Sequence, residues 1–152
     1  MVFRTFGAPD ALATGKRLAA VARRRGVLMM VGMDGALAAR LGADGVHLPE
    51  RLAGRAGHVR ALRGRFLVTA AAHDLPAALR ALRAGVDAVV VSPVLPSRSP
   101  SAGRAIGVRA FARLARAAAL PTYALGGVNA HTARRLAGSG AVGLAAIEGL
   151  TS

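Results

Sequence analysis

Two glycines followed closely by an asparagine, in Ala124-Leu125-Gly126-Gly127-Val128-Asn129, are the residues of this chain best suited to holding an anion. Paired glycines let backbone amides approach a phosphate without interference from a Cβ. Asn129 can cap a following helix, whose amino end carries partial positive charge. The small residues of Gly143-Leu144-Ala145-Ala146-Ile147 leave space beside that loop. A glycine turn with a good cap and nothing bound would present the same residues. A second candidate is Ser92-Pro93-Val94-Leu95-Pro96-Ser97-Arg98-Ser99-Pro100-Ser101, where prolines restrict a loop carrying four hydroxyls and one guanidinium. Read alone, it is a polar loop before it is an anion site. His47 and the pair His73-Asp74 each follow apolar runs, where an imidazole could donate to a substrate, move a proton, or sit satisfied behind the site. The seven acidic residues, Asp10, Asp34, Asp44, Glu50, Asp74, Asp87 and Glu148, are too dispersed to mark a metal centre.

These residues need elements to position them, and the hydrophobic pattern supplies an alternation. Short aliphatic runs predict strands at Val2–Thr5, Val27–Val31, Gly45–Leu48, Phe66–Ala70, Ala88–Ser92, Thr122–Leu125 and Gly143–Ile147. Helical patterns fall between them at Ala11–Arg24, Gly35–Leu41, Pro76–Arg83, Val108–Ala117 and Ala130–Leu136. In the first of these, Ala11, Leu18, Val21 and Ala22 form the apolar face, and Asp74 caps the third. The Arg/Gly-rich stretch Glu50–Arg63 reads as irregular structure with one helix. Near-continuous apolar strands such as Ala88-Val89-Val90-Val91 are buried on both faces, which implies a parallel sheet covered by helices. Two details favour a (β/α) TIM-type barrel over an open sheet. The polar and glycine signals fall after strand ends, and no G-x-G-x-x-G follows the first strand. Eight strand–helix units need about 200 residues, whereas this chain has 152. The expectation is one barrel domain over residues 1–152 lacking its first βα unit. Such a domain exposes two sheet edges, which either an upstream segment or a second copy in a homo-oligomer would close.

The charge of +14 raises nucleic acid as a partner. Twenty of the 21 basic residues are Arg, however, scattered along helical segments, and aromatics make up only 3% of the chain. Nucleic-acid surfaces gather basic residues on one face and interleave aromatics for stacking. These arginines read as solvated helix faces, so no nucleic-acid partner is expected. No run approaches the roughly 20 apolar residues of a membrane helix, and the absence of cysteine suits a reducing compartment. A cytoplasmic protein with no membrane partner is expected.

Taken in order, Leu41-Gly42-Ala43-Asp44-Gly45-Val46-His47-Leu48, Gly85-Val86-Asp87-Ala88, Ser92-Pro93-Val94-Leu95-Pro96-Ser97, Ile106-Gly107, Pro121, Leu125-Gly126-Gly127-Val128 and Gly140-Ala141-Val142-Gly143-Leu144-Ala145 resemble the thiamine-phosphate synthase and TenI family. The resemblance runs over nearly the whole chain. It implies a transferase of thiamine biosynthesis that couples a pyrimidine diphosphate to a thiazole phosphate, with Mg²⁺ holding the departing pyrophosphate. The alternatives within the resemblance are a TenI-like thiazole tautomerase and a non-catalytic binder of thiamine phosphates. By position, Gly126, Gly127, Ala146 and Ile147 would bind phosphate, assisted by His47, Ser92, Ser97 and Ser99. Arg4 matches the arginine of the family's Q-x-R-x-K strand, Ser97 and Ser99 match the threonines of T-x-T-K, and Arg4, His73 and Arg98 stand as the catalytic candidates. Several positions depart from the pattern. Val2 and Phe6 replace Gln and Lys of the first strand, and Pro100 replaces the lysine after the hydroxyl pair. Gly32-Met33 stands where Asn-Asp is expected, Leu52 where an aspartate is, and Ala71 where the serine of S-x-H is. Glu148 replaces a serine beside the phosphate site. Asp34 and Glu50 are then the residues left to hold a metal, and Arg4 and Arg98 to meet developing negative charge.

Overall fold

The computed structural model describes residues 1–5, 7–97 and 103–147. Strand and helix alternate as β1 (Val2–Phe3), α1 (Ala11–Arg24), β2 (Met30–Gly32), α2 (Gly35–Leu41), β3 (Gly45–Leu48), a 3-10 helix (Glu50–Arg55) running into α3 (Ala56–Leu62), β4 (Leu67–Ala72), α4 (Leu75–Arg83), β5 (Ala88–Val91), α5 (Val108–Ala117), β6 (Thr122–Ala124), a second 3-10 helix (Ala133–Leu136) and β7 (Gly143–Leu144). Each strand pairs in parallel with the next, giving one seven-stranded sheet in order β1 to β7 that curls into a half-barrel. Among the described residues, no helix is long and apolar enough to cross a membrane.

Register separates the sheet's two faces. Val31, Val46 and Val68 form one cross-strand row, Leu48, Ala70 and Val89 the next, and Ala72, Val91 and Ala124 a third. All are essentially inaccessible and pack with Ala38, Ala78, Ala81 and Phe111 of the helices. Burying one such Val or Phe contributes roughly 1.5–3 kcal/mol. The alternate positions, Met30, His47, Thr69, Val90 and Tyr123, stay partly exposed on the other face. That face has small residues where neighbours come close. A Cβ on Gly143 would lie 2.6 Å from the Tyr123 ring, and one on Gly45 would meet the Leu67 carbonyl oxygen.

One device recurs at the amino end of the sheet. Gly42 (φ +61°) ends α2 and Gly85 (φ +77°) follows α4, each in the left-handed conformation. Two residues later Asp44 accepts a hydrogen bond from the Met29 amide (2.8 Å), and Asp87 accepts one from the Val68 amide (2.7 Å). Each carboxylate thereby ties the entry of its own strand to that of the strand before. Arg60 also donates to Asp87 at 2.9 Å, but both side chains are about a third exposed or more, so the pair itself adds little. The bond to the Val68 amide dominates. Asp87→Ala is expected to lower unfolding free energy by about 2 kcal/mol, read as a fall in the urea midpoint at unchanged slope.

Several boundaries differ from the pattern-based expectation. α1, α2, α5 and β3 match it residue for residue, and α4 begins one residue early at Leu75. In α1 the buried residues are Gly15, Ala19 and Ala22, while Val21 is 44% exposed and falls off the face assigned to it. In Glu50–Arg63 the one expected helix is α3, and the part read as irregular is ordered as a 3-10 helix, with Ala53, Ala56 and Val59 buried. The helix expected at Ala130–Leu136 is only a four-residue 3-10 helix. Its start nonetheless carries the expected cap: the Asn129 Oδ1 accepts from the His131 and Thr132 amides, and the Thr132 hydroxyl donates to the Gly127 carbonyl oxygen.

Candidate active site

The carboxyl ends of adjacent strands bring most of the chemically able residues into a row. The Gly126-Gly127 loop after β6 is the most tightly built part. Val94 and Leu95 donate their amides to the carbonyl oxygens of Leu125 (2.9 Å) and Gly126 (3.1 Å), while Ile106 and Gly107 donate to Pro93 and Val94 from the other side. A Cβ on Gly126 would stand 2.7 Å from Pro93 Cα. One on Gly127 would stand 2.8 Å from Leu95 Cβ and closer still to the Pro96 carbonyl oxygen. With φ of +94° and +65°, both positions demand glycine for conformation and for space. The residue pattern marks these glycines as an anion loop but conceals this second reason for them, the close approach of another loop. Within the described residues, the Gly127 and Val128 amides donate to no protein acceptor. The β7 end is next door, since Ala145 donates its amide to Ala124 at 2.8 Å, and Ala146 and Ile147 follow it. The helix-dipole part of the expectation does not hold, because no α-helix begins after Asn129 among the described residues.

His47 lies on the partly exposed face of β3, its Nδ1 2.9 Å from the Thr69 hydroxyl of β4. Burial pushes its imidazole down from 6.5 to about 4, with the Arg4 guanidinium acting in the same direction. His47 is therefore neutral at physiological pH and serves as a hydrogen-bonding group, not as an acid. Arg4 follows β1, and a Cβ on Gly32 would stand 3.1 Å from its Cγ. Since Gly32 pairs with His47 in the ladder, β1, β2 and β3 bring Arg4 and His47 to one place. Thr69 was not foreseen, although a hydroxyl in the apolar run Leu67-Val68-Thr69-Ala70 is a signal.

His73, just past β4, is joined to Glu50, just past β3. Its Nδ1 is 2.6 Å and its backbone nitrogen 3.1 Å from Glu50 Oε2, while Arg80 of α4 donates to Glu50 Oε1 at 3.0 Å. Arg80 lies 30 residues from Glu50, and no local pattern marks such a pairing. Ser92 adjoins this end of β4, its amide donating to Ala72 at 3.2 Å across a strand boundary that ends in the cis peptide Ser92–Pro93. Ser97 is half-buried at the end of the same loop. Arg98 and Ser99, and with them Phe6, Pro100 and Glu148, lie outside the described residues.

The donor set does not fit the Mg²⁺ that the resemblance implies. Mg²⁺ asks for oxygen ligands in near-octahedral geometry, usually one or two carboxylates with waters and substrate phosphates. Both Glu50 oxygens are already occupied by His73 and Arg80. Asp34 Oδ1 caps α2 by accepting from the Leu37 amide at 2.8 Å. Among the described residues, no three His, Cys, Asp or Glu side chains gather to hold an ion. Met33, beside Asp34, adopts φ +65°, an unusual conformation for a residue other than glycine at a strand's carboxyl end.

Comparison with known proteins places this geometry among relatives. A family model described as thiamine monophosphate synthase matches residues 3–150. The thiamine-phosphate synthase of Thiobacillus denitrificans is 36% identical over 139 residues, covering 91% of this chain and 66% of that protein. The putative thiamine-phosphate synthase 2 of Aquifex aeolicus is 29% identical over 132 residues, covering 87% of this chain and 70% of its own length. A solved thiamine phosphate pyrophosphorylase from Pyrococcus furiosus superposes with a TM-score of 0.82 at 25% identity, covering 96% of this chain and 70% of that one. The chain thus spans about two thirds of the length of these relatives.

Proposed function

Because the chain belongs to the thiamine monophosphate synthase family, we propose that it binds a phosphorylated thiazole, or the thiamine phosphate made from it, at the carboxyl end of its sheet. Its reaction on this reading is the synthase-type coupling of a pyrimidine diphosphate to the thiazole phosphate, with release of pyrophosphate. The observation that carries the reading is the Gly126-Gly127 loop, wedged against residues 93–96 and leaving the Gly127 and Val128 amides without a protein acceptor among the described residues. Amides in that state, beside the small residues after β7, suit a phosphate. Neutral His47 and the nearby Arg4 suit the polar end of the rest of the ligand. Ser92 and Ser97 line the intervening loop, and Arg98 and Ser99 are proposed to join them.

A second reading, a TenI-like tautomerase that moves a proton without a metal, is favoured by the carboxylate–imidazole pair of Glu50 and His73. Calorimetric titration with thiamine phosphate, with and without Mg²⁺, tests the binding common to both readings. The expected result is micromolar affinity, about −8 kcal/mol. A folded chain that binds none refutes the proposal. Formation of thiamine phosphate from the two precursors separates the synthase from the tautomerase and from a binder without turnover.

A further inference from the structure

Glu50 is a candidate metal ligand by position only; its contacts give it other work. One of its oxygens, Oε2, accepts from both the backbone nitrogen and the Nδ1 of His73, at 3.1 and 2.6 Å. The other accepts from Arg80 at 3.0 Å. An ionised carboxylate can only accept, so in the neutral ring Nδ1 must carry the proton and Nε2 the lone pair. Gripping main chain and ring of one residue through a single oxygen also fixes the ring's orientation relative to the end of β4. Arg80 holds the opposite oxygen, so the carboxylate cannot turn toward a cation without breaking a charge-assisted bond. Exposure divides along the same line: the His73 side chain is 59% accessible, while Glu50 is 28%. The imidazole is the accessible partner and the carboxylate the more covered one.

We propose that Glu50 is the positioning residue of His73, holding it as the Nδ1–H tautomer so that Nε2 is an accessible proton acceptor at the carboxyl end of the sheet, and that Glu50 is not a metal ligand. This deepens the functional reading and rests on it only for what the imidazole acts upon. Nε2 in this state can take a proton from a bound carbon acid and return it to another atom of the same ligand, a cycle that needs no metal and no further reactant.

Nitrogen-15 NMR of the labelled full chain reads the tautomer of the neutral ring directly. The expected result is a protonated Nδ1 and an unprotonated Nε2 for His73. Glu50→Ala should move the proton to Nε2, while the signals of His47, held by Thr69, stay in place and report an intact fold. Millimolar Mg²⁺ should leave the wild-type His73 signals unmoved. A wild-type His73 protonated on Nε2, a tautomer indifferent to Glu50→Ala, or His73 signals displaced by Mg²⁺ would each overturn the proposal. The wild-type spectrum and the Mg²⁺ titration need no variant, so the test survives even if Glu50→Ala fails to fold. Thiamine phosphate calorimetry decides the ligand reading separately, so either can fail while the other stands.

Discussion

Gly127→Ala should lower the unfolding free energy by about 3 kcal/mol and the melting temperature by about 10 °C, and should weaken thiamine phosphate binding about 100-fold. Two costs combine. Alanine is strained at φ +65°, by about 1–2 kcal/mol. The added Cβ would also meet the Pro96 carbonyl oxygen and stand 2.8 Å from Leu95 Cβ, neither of which is the free end of a flexible side chain. The loop can accommodate it only by drawing away from residues 93–96, which breaks the bonds from Val94 and Leu95 and moves the Gly127 and Val128 amides together. Gly138 provides the control: it has φ +70°, but a methyl group added there would find nothing within 4 Å. Gly138→Ala should cost about 1 kcal/mol and leave ligand affinity unchanged. Thermal unfolding and calorimetry on the two variants separate strain from collision. Equal losses in both would mean that the close approach at Gly127 contributes nothing.

The second large effect is on acid stability. In the unfolded chain His47 titrates near 6.5, and in the folded protein near 4. Between those values the unfolded state binds the extra proton, so acid favours unfolding. The neutral ring's stabilising contribution is whole above pH 6.5, falls as pH drops toward 4, and changes no further below it. Its size is on the order of 3 kcal/mol across that window. His47→Gln keeps a polar group beside Thr69 but cannot titrate. Urea midpoints measured from pH 7.5 to 4 should therefore fall more steeply for the wild type than for His47→Gln, and parallel curves would reject the assignment. The difference between the curves removes the contribution of the carboxylates, which titrate in both.

The elements most legible in the sequence are those whose stop signals are local. Gly42 in the left-handed conformation ends α2, and Asp74 accepts from the Ala77 amide at the start of α4, both within one turn of the helix they bound. Where the deciding contact is elsewhere, the pattern misleads. Ala130–Leu136 has a helical composition and a start capped by Asn129, yet only Ala133–Leu136 coils, as a 3-10 helix. Val21 looks apolar on a helical wheel, but small residues at Gly15 and Ala19 set the face that docks; a Cβ on Gly15 would stand 2.5 Å from Leu41 Cδ1. The candidate site divides in the same way. Glycines after a strand are visible in a line of text, whereas the Glu50–His73 bond spans 23 residues and depends on β3 and β4 being neighbours. Likewise, His47 could be picked out by type, but its depressed basicity follows from burial and from Arg4, which is distant in sequence and reaches it only because β1, β2 and β3 are paired in order.

The Asp44 and Asp87 ties sit at the amino end of the sheet, and the loops carrying Glu50, His73, Ser92 and Gly126 sit at the other. Architecture and reactivity are therefore written in different stretches of the same chain. Selection acting on chemistry can rewrite one end while the other keeps the strands in order, without passing through an unfolded ancestor. A barrel inherited this way works as a chassis: kinship read from its frame outlasts any particular reaction performed at its rim.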